Sequence, residues 1–179
     1  MSTVGGERGA GQPRVSAIVA ARNEAGTIEA VVRGTLAALP AASEVLVVDD
    51  GSADATAELA ERAGARVIRR AVDGPHGKGL ALRAGIAAAR GEVAVFLDAD
   101  GQDPPEDIAL LLAALAPDVD LVNGSKFTGT CLPGAISPLN RLGNRSMSAL
   151  ANVLFGLAIT DSQSGFRAIR LERLRALRL

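Results

Sequence analysis

Short apolar runs and amphipathic stretches take turns along the chain as far as residue 125. Val15 to Ala20, Glu44 to Val48, Arg66 to Arg69, Val93 to Leu97 and Val119 to Val122 are of strand length and rich in branched residues, the pattern of strands covered on both faces. Helical patterns lie between them. One runs from Thr27, a fitting N-cap, to about Leu39, where Pro40 marks its end. The next starts under a Ser52 or Asp54 cap and runs to about Ala63, with Gly64 as C-cap. Leu80 to Ala89 follows and is broken by Gly91, and a fourth helix begins after Pro105 and ends near Ala116. This alternation predicts an α/β fold with a mostly parallel central sheet and crossover helices.

Beyond Thr128 the periodicity fails. Thr128 to Pro138 holds Gly129, Pro133, Gly134 and Pro138 and is expected to be a long loop of the kind that covers active sites. Leu139 to Leu157 predicts an amphipathic helix, which core packing or a membrane surface would suit. Phe166 to Ile169 reads as a short strand and Leu171 to Leu179 as a helix in progress. Residues 1–13 are rich in glycine and polar residues and are expected to be a disordered lead-in. Residues 14–179 are expected to form a single catalytic domain, and the missing closing turn leaves open a truncated C-terminus.

Composition narrows the function. The chain has 179 residues, enough for one domain with a real core, and a formal net charge of -1, so no basic field points to nucleic acid. Without Trp or Tyr it also lacks the aromatic platforms that stack bases. The lone Cys131 excludes an internal disulfide and a cysteine-rich zinc site. No signal-peptide pattern and no run of about eighteen apolar residues occurs, so a cytoplasmic setting is expected.

The chemistry gathers where the strands end. Asp98-Ala99-Asp100-Gly101 closes the fourth strand, and side chains one residue apart on extended backbone point the same way. Asp98 and Asp100 are therefore candidates to hold one hard cation, Mg²⁺ or Mn²⁺, with Gln102 within reach of the ion or its water; turn residues are the alternative reading. Arg22, Asn23 and Glu24 follow the first strand, and Asp49 and Asp50 the second. In a doubly wound sheet the first strand neighbours the second and the fourth, so these groups converge on one cleft. Asp50 can take a base N–H or a ribose hydroxyl there, while a metal on Asp98 and Asp100 neutralises a diphosphate.

The loop Gly77-Lys78-Gly79 is no P-loop, and Lys78 reads as a point charge for phosphate or as a solvated residue. His76, the single histidine, reads as incidental. Arg141 and Arg145, four apart at the start of a helix, are badly placed for helix stability and so suggest an anion. Asp161, Gln163 and Arg167 share a polar turn, in which Asp161 is either a general base or the partner of an arginine.

Six segments together resemble the family-2 glycosyltransferases of GT-A fold, close to the dolichyl-phosphate mannosyltransferases and bacterial polyprenyl-phosphate glycosyltransferases. They are residues 20–24 (Ala20-Ala21-Arg22-Asn23-Glu24), 47–54, 77–85, 97–106, 123–127 and 161–167, and they span most of the chain from Val15 to Ile169. The resemblance implies a Rossmann-like αβα sandwich and transfer of a hexose, with inversion, from GDP-mannose or a UDP-hexose to a lipid phosphate. It implies donor binding by Ala20, Arg22, Asn23, Glu24, Asp50, Lys78, Asp98, Ala99 and Asp100, a metal on Asp98, Asp100 and Gln102, and catalytic roles for Asp98, Asp100 and Asp161. Ser125, Lys126, Arg141, Arg145, Gln163 and Arg167 are the implied acceptor set, with Lys126 standing where the family usually has arginine. Peripheral placement on the inner face of the membrane and assembly into a homo-oligomer are further expectations. The same fold on a soluble phosphate or glycan acceptor, a nucleotide-sugar binding domain without turnover, and a nucleotidyltransferase are the alternatives.

Overall fold

In the first, second and fourth strands successive side chains alternate between two cores, which is why these stretches read as largely apolar runs, with Ser16 the polar interruption in the first. The computed structural model describes residues 14–71, 73–125, 152–154, 156, 161 and 164–177. Val15, Ala17 and Val19 of β1 (Val15–Ala21), Val45 and Val47 of β2 (Glu44–Asp49), and Val93, Val95 and Leu97 of β4 (Val93–Asp98) face one layer. That layer also holds residues of α1 (Ile28–Ala38), α2 (Thr56–Arg62) and α4 (Ile108–Ala114). Ile18, Leu46, Val48, Ala94 and Phe96 face the other layer, packed on α3 (Lys78–Ala88) and α5 (Leu171–Ala176). At Gly85 of α3 a Cβ would stand 2.5 Å from Ile18 Cγ2, so glycine there lets the helix lie close on the sheet.

The sheet has six strands in the order β3-β2-β1-β4-β6-β5, where β3 is Arg66–Arg69, β5 Leu121–Asn123 and β6 Arg167–Arg170. β1 pairs in parallel with β2 and β4, as the doubly wound reading requires, and the register sets Ala21 opposite Asp49 and Ala20 opposite Asp98. β6 is inserted antiparallel between β4 and β5. Pairing Arg167 with both Phe96 and Asn123 brings the start of β6 to the carboxyl end of β4.

Several local expectations need correction. β5 begins at Leu121 rather than Val119 and β6 at Arg167 rather than Phe166, while α3 begins at Lys78 and α5 ends at Ala176. Thr27 sits at the N-cap of α1 but does not cap it; its hydroxyl is spent on the Ala99 carbonyl at 2.7 Å. α2 starts at Thr56 with Ala55 at its N-cap, because the Ser52 hydroxyl is bonded to the Asp49 carboxylate. The Asp54 carboxylate accepts the Thr56 N–H at 3.0 Å and the Ala25 N–H at 3.2 Å, tying the turn after β2 to the turn after β1. The lead-in, the loop Thr128 to Pro138, most of the helix expected from Leu139 to Leu157, and Lys126, Arg141, Arg145 and Gln163 lie outside the described residues. Among the described residues no helix is long and apolar enough to cross a membrane.

Candidate functional site

Because β1, β2 and β4 run in register, the polar residues that follow each strand arrive at one rim. There they line a cleft of about 390 Å³ formed by Ala20, Ala21, Arg22, Glu24, Asp50, His76, Gly77, Lys78, Ala81, Asp98 and Asp100. Asp50 forms its wall. Its backbone N–H continues the sheet onto the Ala21 carbonyl at 2.9 Å, and its side chain is only 7% exposed.

Three groups of the chain gather on the Asp50 carboxylate. Arg70, just past β3, pairs with Oδ1, His76 Nδ1 stands 3.6 Å from the same oxygen, and the Gly77 N–H donates to Oδ2 at 2.7 Å. Burial alone would raise this carboxyl; the Gly77 N–H, Arg70 and His76 outweigh it and hold the group below the ordinary aspartate value. Arg70 also donates to the Pro75 carbonyl at 2.8 Å, so one guanidinium fixes both Asp50 and the loop that leads into α3. Gly77 adopts φ +147°, backbone that L side chains rarely adopt, and this turns its N–H onto Asp50.

The opposite wall is the turn after β4. Asp98, the last strand residue, donates its N–H to Asp103 Oδ2 at 2.8 Å, and its carboxylate pairs with Lys78 at the first position of α3. Asp100 is exposed; its Oδ1 accepts the Gln102 N–H at 3.0 Å. Gly101 completes the turn at φ +76°. The turn is clamped from beneath by Thr27, whose hydroxyl bridges the Ala99 carbonyl at 2.7 Å and Glu24 Oε2 at 3.2 Å.

The antiparallel β6 brings a third group of residues to this rim. A Cβ on Gly165 would lie 3.1 Å from Asp98 Oδ1 and 3.2 Å from Oδ2, so the backbone of this segment lies directly against the carboxylate. Asp161 is 1% exposed and accepts the Ser164 N–H at 3.1 Å, while Arg167 donates to the Ser164 carbonyl. Asn123 of β5 donates its side-chain amide to the Asp161 carbonyl. Ser125 is half-buried just beyond β5.

Of the residues singled out in the sequence, Ala20, Arg22, Glu24, Asp50, Lys78, Asp98 and Asp100 line the cleft together. Asn23 does not line it. With φ +56° it spends its Oδ1 on the Ala53 N–H at 2.8 Å and knits the β1 and β2 turns together. Ala99 is buried with its carbonyl taken by Thr27, and the Gln102 residue is exposed outside the lining. Arg70 escaped the sequence reading, Gly77 reads there only as part of a glycine loop, and His76, which reads as incidental, is part of the wall. The available signal was a polar cluster following the short third strand.

Among the described residues no group of three or more His, Cys, Asp or Glu side chains could cage a metal by itself. The donor set still fits a hard divalent ion. Mg²⁺-type sites commonly take one or two carboxylates and leave the other positions to water and substrate phosphates, and Asp98 and Asp100 supply two oxygen-donor side chains beside an open cleft.

Comparisons with known proteins identify the fold and the family. The chain is 37% identical over 134 residues to a dolichyl-phosphate hexose transferase of Haloferax volcanii, a match covering 74% of this chain and 55% of that protein. It is 33% identical over 165 residues to an undecaprenyl-phosphate 4-deoxy-4-formamido-L-arabinose transferase of Sodalis glossinidius, covering 88% and 49%. The chain thus spans about half the length of these curated relatives. Among solved structures, glucosyl-3-phosphoglycerate synthase of Mycobacterium tuberculosis with Mn²⁺, UDP and glucosyl-3-phosphoglycerate superposes with a TM-score of 0.73 at 27% identity, covering 92% of this chain and 59% of that one. The fold is the GT-A fold of such enzymes. The family model for glycosyl transferase family 2 matches residues 16–177, and the chain belongs to that family.

Proposed function

We propose that this chain transfers a hexose from a GDP- or UDP-sugar to a polyprenyl phosphate, with inversion at the anomeric carbon. The observation that carries the reading is the cleft in which Asp50, Lys78, Asp98 and Asp100 meet at adjoining strand ends. Family membership and relatives named for dolichyl and undecaprenyl phosphates support it.

Asp50 receives the nucleoside, with Arg22 and Glu24 on the adjoining wall. Asp98 and Asp100 would hold Mg²⁺ or Mn²⁺, which would neutralise the charge of the departing diphosphate. Lys78 adds a positive charge on the same side. A phosphate oxygen of the acceptor attacks the anomeric carbon on the face opposite the leaving group. The bond from that carbon to the β-phosphate oxygen breaks, and the electron pair departs on the nucleoside diphosphate. The acceptor phosphate is already ionised, so no proton has to be removed and a strong general base is unnecessary. What the step needs is positioning of two anionic reactants, a role assigned to Ser125, Lys126, Arg141, Arg145, Gln163 and Arg167. Asp161 holds the Ser164 turn beside Asp98 through its bond to the Ser164 N–H. The reaction takes place on the cytoplasmic face of a membrane, where the lipid presents its phosphate.

A second reading keeps the donor site and exchanges the lipid for a soluble phosphate. It is favoured by the likeness to the glucosyl-3-phosphoglycerate synthase, which covers 92% of this chain. The test is a screen of GDP-mannose, UDP-glucose, UDP-galactose and UDP-GlcNAc with Mg²⁺ or Mn²⁺, offered a short polyprenyl phosphate or 3-phosphoglycerate. Glycosylated lipid with release of nucleoside diphosphate is the expected result. Glycosylated phosphoglycerate alone selects the second reading, and donor binding without product under any pairing points to a binding domain.

A further inference from the structure

Lys78 occupies an odd position for a residue whose task is to meet a diphosphate. It opens α3, yet its ammonium is paired with Asp98 Oδ1, a carboxylate that the proposed function gives to a divalent ion. The pair is held from three sides. The backbone of Asp98 is pinned by Asp103 at 2.8 Å. The Gly165 backbone packs against the carboxylate, where a Cβ would stand 3.1 Å from Oδ1 and 3.2 Å from Oδ2. Gly77, which precedes Lys78, is tied to Asp50 at 2.7 Å, so the helix start cannot drift away from the cleft. The Asp98 side chain is 30% exposed and the lysine 54%, so the pair is open to solvent and to an incoming ion.

We infer that Lys78 is the resident counter-ion of Asp98 and competes with the divalent ion for the same carboxylate. The inference rests on the metal-dependent reading of the site. A lone carboxylate beside Asp100 repels its neighbour, and the ammonium offsets that cost while no metal is bound. When the ion binds, Lys78 is displaced, and the nearest anion that can take up its charge is the donor diphosphate. Metal and donor are thereby coupled: the ion binds weakly by itself and more tightly when a diphosphate receives the released lysine. One residue guards the site against idle metal binding and afterwards contributes to donor affinity.

The test measures Mn²⁺ affinity by electron paramagnetic resonance, with and without UDP or GDP, in the wild type, Lys78→Gln, Lys78→Arg and Asp98→Asn. No turnover is needed. For a half-exposed pair, Lys78→Gln is expected to bind Mn²⁺ about three- to tenfold more tightly than wild type in the absence of nucleotide. The enhancement of Mn²⁺ binding by nucleotide is expected to shrink by a similar factor. Lys78→Arg keeps the charge and is expected to stay near wild type, and Asp98→Asn to lose Mn²⁺ with or without nucleotide. Unchanged or weaker Mn²⁺ binding in Lys78→Gln, with Asp98→Asn still defective, overturns the competition and leaves the metal site standing. Mn²⁺ binding absent from wild type and Lys78→Gln alike, even with nucleotide, overturns the metal-dependent reading and the competition with it.

Discussion

The sheet has two halves built by different rules. The half β3-β2-β1-β4 is parallel, made of repeated strand–helix units whose side chains alternate between two cores. It lines up Asp49, Asp50, Ala20 and Asp98 by register alone. The other half is the antiparallel pair β6-β5, whose strands are four and three residues long. It adds little core and delivers Gly165 and the Asp161 turn to the same rim. Repetition therefore builds the face proposed for the donor, and one reversal of strand direction brings in the segment proposed for the acceptor. The halves are joined along the β4–β6 ladder, and at the rim the Gly165 backbone lies against the Asp98 carboxylate.

The largest effect is expected from removing charge at that junction. Asp98→Asn should cut turnover by about 10³-fold, since it removes a group that acts on charge developing in the transition state. Its circular dichroism and melting should stay close to wild type, because the side chain is partly exposed rather than packed in either core. Gly165→Ala sharpens the comparison from the other side. A methyl group 3.1 Å from the carboxylate oxygen requires the Asp98 side chain to give by a few tenths of an ångström, and a carboxylate misplaced by that much is expected to cost about tenfold in rate. Steady-state kinetics should show it in kcat, with nucleotide affinity changed less.

Arg70→Gln acts on the parallel half alone. It leaves the buried Asp50 carboxylate short of its guanidinium and frees the Pro75 carbonyl, at a cost of about 2 kcal/mol in urea unfolding. Nucleotide affinity should fall with it, because the loop carrying His76 and Gly77 loses its anchor. The smallest effect is in the acid limb of stability. Asp50 is held below its ordinary value, and so is Glu44, where burial acts upward but Ser16, the Arg90 N–H and Arg66 outweigh it. A depressed carboxylate stabilises the fold fully above its unfolded value, about 3.9 for Asp and 4.3 for Glu. That contribution is lost as pH falls through the folded value. Thermal melts should therefore decline below about pH 4, and Asp50→Asn should show a shallower decline from a lower plateau.

The parallel half could be read from the sequence because its signal is periodic and local. Val15 to Ala20, interrupted by Ser16, and Val93 to Leu97 are apolar runs because both faces are covered, and polar residues stand where each run stops. β6 was visible only as a short apolar stretch. Its direction and its place between β4 and β5 depend on pairing with Phe96 and Asn123, residues far away in the chain. The side-chain bonds that shape the site were equally hidden. Thr27 and Ser52 carry the right hydroxyls for helix caps, yet other acceptors claim both: the distant Ala99 carbonyl takes one and the Asp49 carboxylate, three residues back, the other. Arg70 and His76 sit in a polar stretch with no motif, and only folding the loop back onto β2 joins them to Asp50.

The most direct measurement is calorimetric titration of UDP and GDP into the protein with and without Mn²⁺, for the wild type, Asp50→Ala, Asp98→Asn and the distant surface control Asp120→Asn. The strand-end cleft as donor site predicts that one nucleoside diphosphate binds with strong Mn²⁺ dependence. It predicts that Asp50→Ala weakens binding of the nucleotide, that Asp98→Asn removes the Mn²⁺ dependence, and that Asp120→Asn behaves as wild type. Nucleotide binding that is indifferent to Asp50 and Asp98, or absent for both nucleotides with either ion condition, would contradict it.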